Sequence, residues 1–121
     1  MSKTVLSTIV FITLLLLGGG VWFATKSNGP QDGQYDNFAK CLAEKKVTMY
    51  GAYWCPHCQN TKKAFGTSFK YVPYVECTIE TKKCTELSIN GYPTWTFADS
   101  SRVEGEMSLQ DLSQKSGCSL Q

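Results

Sequence analysis

The hexapeptide Tyr53-Trp54-Cys55-Pro56-His57-Cys58 constrains this sequence more than any other stretch, because it falls where a strand-like run gives way to a helix-like run. Residues 47–53 mix β-branched, aromatic and small side chains, as a strand buried on both faces does. Downstream, Cys58, Phe65 and Phe69 are spaced so that one stripe of a helix carries all three. The sequence therefore predicts a strand over 47–53 and a helix from Cys55 to about Phe69.

The start of that helix suits a reactive thiol. Pro56 falls in the first turn, where its missing N–H would have had no helical partner. The sulfur of Cys55 then faces the unpaired N–H groups and positive dipole end of the helix, which favour thiolate over thiol. His57, the single histidine of the sequence, adds to this effect when protonated. An exposed helix residue without a role is the alternative, but the position of His57 between the two cysteines favours tuning of the Cys55 thiolate. We interpret Cys55 as the nucleophile and Cys58, one turn deeper, as the resolving thiol.

A Cys-x-x-Cys pair by itself is ambiguous, since half of a zinc site has the same spacing. Cys77 and Cys84 would supply the other half of such a site, and a plain structural disulfide is a third interpretation. Pro56 and His57 favour redox chemistry, because they fit the start of a redox-active helix. We therefore predict a redox pair and no metal site.

Composition excludes some partners and indicates a compartment. Among 121 residues the net charge is only +2, and Lys and Arg are scattered, so nothing favours nucleic acid as a partner. The length allows one small domain plus one additional segment. Six cysteines in so short a sequence favour an oxidising, extracytoplasmic compartment, the periplasm or a lumen.

The N-terminal part predicts a membrane anchor. Residues 5–24 are 20 residues without a charge, bracketed by Lys3 and Lys26, which is the length of a bilayer-spanning helix. We predict a single-pass protein with residues 1–4 in the cytoplasm, an anchor over 5–24, a polar linker over 25–34 and an outward-facing domain over 35–121. A cleaved signal peptide is the alternative, against which Trp22 and Phe23 occupy the stretch where small residues are preferred.

Periodicity predicts the remaining elements of the domain. Helices are expected over 35–46, 83–89 and 108–116, the last with Ser108 as its N-cap. Strands are expected over 71–77, 94–97 and 102–105, the last two as a hairpin. The strand at 71–77 completes a parallel β-α-β crossover with the strand and helix around Cys55.

Four segments resemble a known family. A strand followed by Trp-Cys-x-x-Cys and a helix, with Gly91-Tyr92-Pro93-Thr94 downstream, resembles the thioredoxin superfamily. More closely, the sequence is similar to the thioredoxin-like domain fused to bacterial and plant homologues of vitamin K epoxide reductase. The matching segments are 50–59, 71–77, 91–95 and 116–118.

The resemblance implies an α/β, thioredoxin-like fold, with a mixed four-stranded sheet flanked by helices. It implies a cis peptide bond before Pro93, and a backbone at Tyr92 that pairs with an extended substrate segment beside Cys55. Trp54, Tyr92 and Thr94 are the expected substrate-binding residues, although core packing explains Trp54 nearly as well. Cys55, Cys58, His57, Pro56 and Pro93 are the expected catalytic residues.

The resemblance also implies an activity and a partner. A Pro-His pair between the cysteines is typical of oxidising, DsbA-like members, so we expect oxidation of protein dithiols with no bound cofactor. Reoxidation is expected from a quinone-linked membrane protein of the vitamin K epoxide reductase type, carried on a separate chain. A disulfide reductase or isomerase that uses the same pair, or a metal-binding or interaction module without turnover, are the alternatives.

Four cysteines remain, and they allow three pairings if Cys55 pairs with Cys58. Topology favours Cys77 with Cys84, at a strand end and the following loop, and Cys41 with Cys118, joining the first and last helices of the domain. We expect both to be structural, the alternative being that one pair relays electrons to the reactive pair.

One position departs from the superfamily pattern. Many members carry a buried acid six residues before the first cysteine, where it helps to deprotonate the second, and this sequence has Met49 there. Either another group or water serves Cys58, or fast resolution of mixed disulfides matters less.

Overall fold

A computed structural model describes residues 29–121. The helices of this part are α1 (Asp36–Glu44), α2 (Pro56–Phe65), α3 (Thr81–Glu86) and α4 (Leu109–Ser116), and a 3-10 helix (Gly66–Tyr71) follows α2. The strands are β1 (Thr48–Gly51), β2 (Tyr74–Glu76), β3 (Thr94–Thr96) and β4 (Arg102–Glu104). The predicted anchor over 5–24 lies outside the described residues. Within 29–121, no helix combines the length and apolar character that crossing a bilayer requires.

The strands form one mixed sheet in the order β2-β1-β3-β4. β1 pairs in parallel with β2 and antiparallel with β3, and β3 pairs antiparallel with β4. The β1-α2-β2 unit is the predicted parallel crossover, and β3-β4 is the predicted hairpin. The prediction of a four-stranded mixed sheet flanked by helices is therefore confirmed.

The helix after the cysteines is shorter than predicted. It ends at Phe65 and not near Phe69, because Gly66 adopts a positive φ of 59° that breaks the helical path. A β-carbon at Gly66 would also lie 2.7 Å from Cγ of Pro30, so the close approach requires glycine. The 3-10 helix that follows includes Tyr71, the first residue of the predicted 71–77 strand, and the strand itself spans only Tyr74–Glu76.

Side chains pack on both faces of the sheet, as the sequence of β1 predicts. Met49 belongs to the larger core, in which Phe38 and Phe65 stack with ring centroids 5.7 Å apart. Tyr50, the next residue, belongs to a smaller cluster on the opposite face. α2 is thereby fixed against the face of the sheet that carries Met49.

Two disulfide bonds cross-link the domain. Cys41 of α1 is bonded to Cys118 after α4, and Cys77 after β2 is bonded to Cys84 of α3. Of the three pairings that the sequence allowed, the structure contains the predicted one. The sulfur atoms of these four residues are therefore not available to a metal ion.

The end of the predicted linker is attached to the domain. The Gly33 N–H donates to Thr67 Oγ1 at 2.8 Å, and the Tyr35 N–H donates to Ser68 Oγ at 3.0 Å. With Pro30 against Gly66, these contacts fix the chain to the 3-10 helix before α1 begins.

Candidate active site

Cys55 caps the helix that the sequence predicts. β1 ends at Gly51, α2 begins at Pro56, and Cys55 has extended backbone angles at the N-cap position. Its sulfur accepts a hydrogen bond from the Cys58 N–H at 3.4 Å. An N-cap acceptor satisfies one of the unpaired N–H groups of the first turn, and a thiolate does this better than a thiol because a charged acceptor makes the stronger bond.

The loop before β3 contacts the same sulfur. The Tyr92–Pro93 peptide bond is cis, as predicted. Cys55 Sγ lies 3.5 Å from the carbonyl oxygen of Tyr92. The structure thus places Cys55 at the start of α2 and beside this loop, although Cys55 and Tyr92 are 37 residues apart in sequence.

Aromatic side chains flank Cys55 at the surface. Trp54 is 57% exposed and Tyr53 is 66% exposed, so core packing does not explain Trp54. The Trp54 ring contacts the edge of Tyr92, with centroids 5.9 Å apart. This exposed aromatic surface borders a thiol that is itself only 3% exposed.

Thr94 does not belong to that surface. Its side chain is fully buried, and its hydroxyl donates to the carbonyl oxygen of Gly91 at 2.7 Å. The side chain of Thr94 therefore supports the loop that carries Tyr92 and Pro93, and the expectation that Thr94 contacts substrate stays a prediction.

His57 has a partner that the sequence did not reveal. Its Nδ1 lies 2.8 Å from Oε2 of Glu106, in the segment between β4 and α4. Because a carboxylate only accepts hydrogen bonds, Nδ1 is the nitrogen that carries the proton in this contact. The two residues are 49 positions apart, which is why no local pattern connects them.

Cys58 lies on the buried side of the pair. It has no exposed surface. The pKa of the Cys58 thiol is raised to about 12, mainly by burial and to a smaller extent by a hydrogen bond with Cys55. Both thiols are free in this structure. One cysteine therefore lies at the helix start beside the surface, while the other is held protonated in the core.

Titration of Cys58 tests this assignment. In a Cys55→Ala variant, Cys58 is the remaining free thiol of the described residues, and we expect its thiolate absorbance to show no rise below about pH 10, because burial disfavours the charge. Denatured protein is the control, in which the thiol should titrate near the ordinary value of about 8.5. A deprotonation step of the folded variant below about pH 8 would contradict the burial argument.

The arrangement of these features decides the kind of fold. A parallel β-α-β crossover carries the Cys-x-x-Cys pair at the start of its helix. The loop with the cis proline leads into an antiparallel strand, and the carbonyl oxygen of Tyr92 in this loop lies beside the sulfur of the first cysteine. These are the features that the resemblance implied. The domain has a thioredoxin-like fold.

No protein-family model matches the chain. Thiol-disulfide oxidoreductase LTO1 of Arabidopsis thaliana is 34% identical over 108 residues, which is 82% of this chain but 28% of that protein. The chain thus spans little more than a quarter of the length of this curated relative.

Two solved structures are similar to the thioredoxin-like domain. Fasciola hepatica thioredoxin is 22% identical with a TM-score of 0.47, over 66% of this chain and 88% of that one. The first thioredoxin domain of mouse protein disulfide-isomerase A4 is 17% identical with a TM-score of 0.44, over 82% of this chain and 84% of that one.

Proposed function

We propose that this protein is a membrane-anchored thiol–disulfide oxidoreductase that oxidises dithiols of other proteins through Cys55 and Cys58. The observation that carries the proposal is the asymmetry of the pair. The Cys55 sulfur caps α2 next to an exposed aromatic surface, whereas Cys58 is wholly buried behind it. Such an arrangement directs an incoming sulfur to Cys55 and keeps Cys58 for the intramolecular step.

The reaction follows from this geometry. A substrate thiolate attacks Cys55 of the Cys55–Cys58 disulfide, the bond between the two cysteines breaks, and its electron pair leaves on the Cys58 sulfur, which takes up a proton. The second substrate thiolate then attacks the substrate sulfur that is bound to Cys55. Cys55 leaves as a thiolate, so the substrate departs as a disulfide and the cysteine pair has gained two electrons.

Substrate recognition is assigned to the surface beside Cys55. Trp54 and Tyr92 offer aromatic area, and the Tyr92 backbone lies next to the reacting sulfur. An extended segment that carries the substrate cysteine would contact these groups while its sulfur meets Cys55.

Reoxidation is assigned to a membrane partner. The similarity to domains fused to vitamin K epoxide reductase homologues supports a quinone-linked protein that accepts the two electrons. The apolar stretch over 5–24 supports an anchor in the same membrane. Two disulfides in the domain support an extracytoplasmic location, in the periplasm or a lumen.

The reduction potential of the full-length protein tests the direction of the reaction. After equilibration with glutathione buffers, we expect a value closer to roughly −120 mV than to roughly −270 mV. The reason is that the Cys58 N–H donates to the free Cys55 sulfur, and a bond that stabilises the reduced form makes the disulfide a stronger oxidant. The oxidised protein should also convert a peptide dithiol to its disulfide in equal amount. A potential near the lower value would favour a reductase, and an absence of any exchange would favour an interaction module.

A further inference from the structure

Cys58, unlike Cys55, needs a neighbouring group that can exchange its proton. It is wholly buried, and burial raises the pKa of its thiol to about 12. Thiol–disulfide exchange nevertheless makes Cys58 a thiolate, either when it is displaced or when it attacks a mixed disulfide. A thiol without contact to solvent must therefore exchange its proton with a group beside it.

Tyr74 is the polar group that the fold brings to this thiol. The parallel register pairs Met49 with Tyr74, and Met49 and Gly51 are the β1 residues on the face under α2. Neither can accept a proton. Because Gly51 lacks a side chain, the Cys58 sulfur and the Tyr74 hydroxyl both approach the space beside it: a β-carbon on Gly51 would lie 2.9 Å from the Cys58 sulfur and 3.2 Å from the Tyr74 hydroxyl oxygen.

Glu76 connects this hydroxyl to the surface. The Tyr74 hydroxyl donates to Glu76 Oε2 at 2.6 Å, while Oε1 accepts from the Thr78 hydroxyl at 2.6 Å and from the Tyr53 N–H at 3.1 Å. Partial burial acts to raise the pKa of the Glu76 carboxyl, but these bonds outweigh it and lower that pKa. Glu76 is therefore an ionised acceptor, fixed against the tyrosine.

Lys62 adds a positive charge to the same group. Its ammonium lies 4.2 Å from the centroid of the Tyr74 ring, one helical turn beyond Cys58 on α2. This charge acts to lower the pKa of Cys58, opposite to the effect of burial. The surroundings of Cys58 thus contain a hydrogen-bonded Tyr74–Glu76 pair and a cation that favours the thiolate.

We propose that Tyr74 and Glu76 transfer the proton of Cys58 during exchange, an inference that rests on the function proposed above. As Cys58 attacks the mixed disulfide at Cys55, its proton passes to the Tyr74 oxygen, directly or through one water molecule, while the Tyr74 proton passes to Glu76 Oε2. The Cys55–Cys58 bond forms, and the partner sulfur leaves Cys55 with the electron pair. The reverse path protonates Cys58 when a substrate displaces it.

A two-step reagent isolates the step in question. When the reduced full-length protein reacts with dithiobis-nitrobenzoate, Cys55 releases one coloured thiolate in a bimolecular step, and Cys58 releases the second in an intramolecular step. We expect Tyr74→Phe to slow the second release by about tenfold or more near pH 7, with the first release changed by less than about twofold. The deficit should shrink as the pH rises, because hydroxide replaces the missing proton acceptor. Glu76→Gln should act in the same direction.

Tyr71→Phe and Glu80→Gln are the matched controls. Tyr71 lies under Lys40 and Lys70, and Glu80 pairs with Lys83, so neither is part of the Tyr74 path. A Tyr74→Phe protein whose second release matches the controls, or is slowed equally at every pH, would overturn the proton-transfer role. If the wild-type protein releases no second thiolate, the failure lies in the proposed exchange function itself.

Discussion

A full-length Cys58→Ala protein is expected to accumulate covalent complexes through Cys55. The thiolate of Cys55 attacks a client disulfide, one client sulfur leaves, and the mixed disulfide persists because the residue that would resolve it is absent. Its position at the start of α2 beside exposed Trp54 and Tyr53 leaves it able to react. We expect complexes that reducing agent dissociates, at least about tenfold more abundant than in the wild-type protein.

A Cys55→Ala protein is the control for that experiment. It retains Cys58, both disulfides and the aromatic surface, but its remaining free thiol is buried and protonated. We expect it to trap almost nothing, as judged by non-reducing electrophoresis and mass spectrometry. Equal trapping by both variants would show that Cys55 is not the attacking residue.

The second large effect is expected on stability. Removing the Cys41–Cys118 disulfide by a double alanine substitution should lower the free energy of unfolding by about 4 kcal/mol, because the bond closes a long loop in the unfolded chain. The two cysteines are 77 residues apart, whereas Cys77 and Cys84 are 7 apart. Removing the shorter bridge should therefore cost less, about 2.5 kcal/mol.

Urea denaturation of the two double variants measures this difference. The midpoint should fall further for the variant without the longer bridge, with both variants still folded in the absence of urea. A larger loss from the shorter bridge would mean that packing around Cys77 and Cys84, and not loop closure, dominates their contribution.

Features set by local sequence were predictable. The start of α2 at Pro56 is fixed by a proline that suits the first turn. Ser108 was expected to cap the last helix, and its hydroxyl accepts the Asp111 N–H at 3.0 Å. The burial of both faces of β1 followed from its unbroken run of apolar and small residues. Each of these depends on neighbours within a few positions.

Features set by contacts between distant segments were not predictable. The end of α2 depends on Gly66 meeting Pro30, from the segment before α1. The position of Tyr74 near the reactive pair depends on the β1–β2 register, and the contact of His57 with Glu106 joins segments 49 residues apart. The sequence did not show which group helps to deprotonate Cys58 when Met49 stands in place of the buried acid of other superfamily members. A strand residue such as Tyr74 carries no local sign of the residue that lies opposite it.

The contact of Pro30 with Gly66 places the N-terminal end of the described chain and the reactive sulfur at opposite ends of α2. Gly66 ends α2 and Cys55 begins it, and a helix of 10 residues separates them by about 15 Å. Pro30 therefore meets the domain at the end of α2 remote from Cys55. A client at the N-terminal end of α2 meets Cys55 there, whereas a partner at the Pro30 end is separated from the sulfur by about the length of the helix.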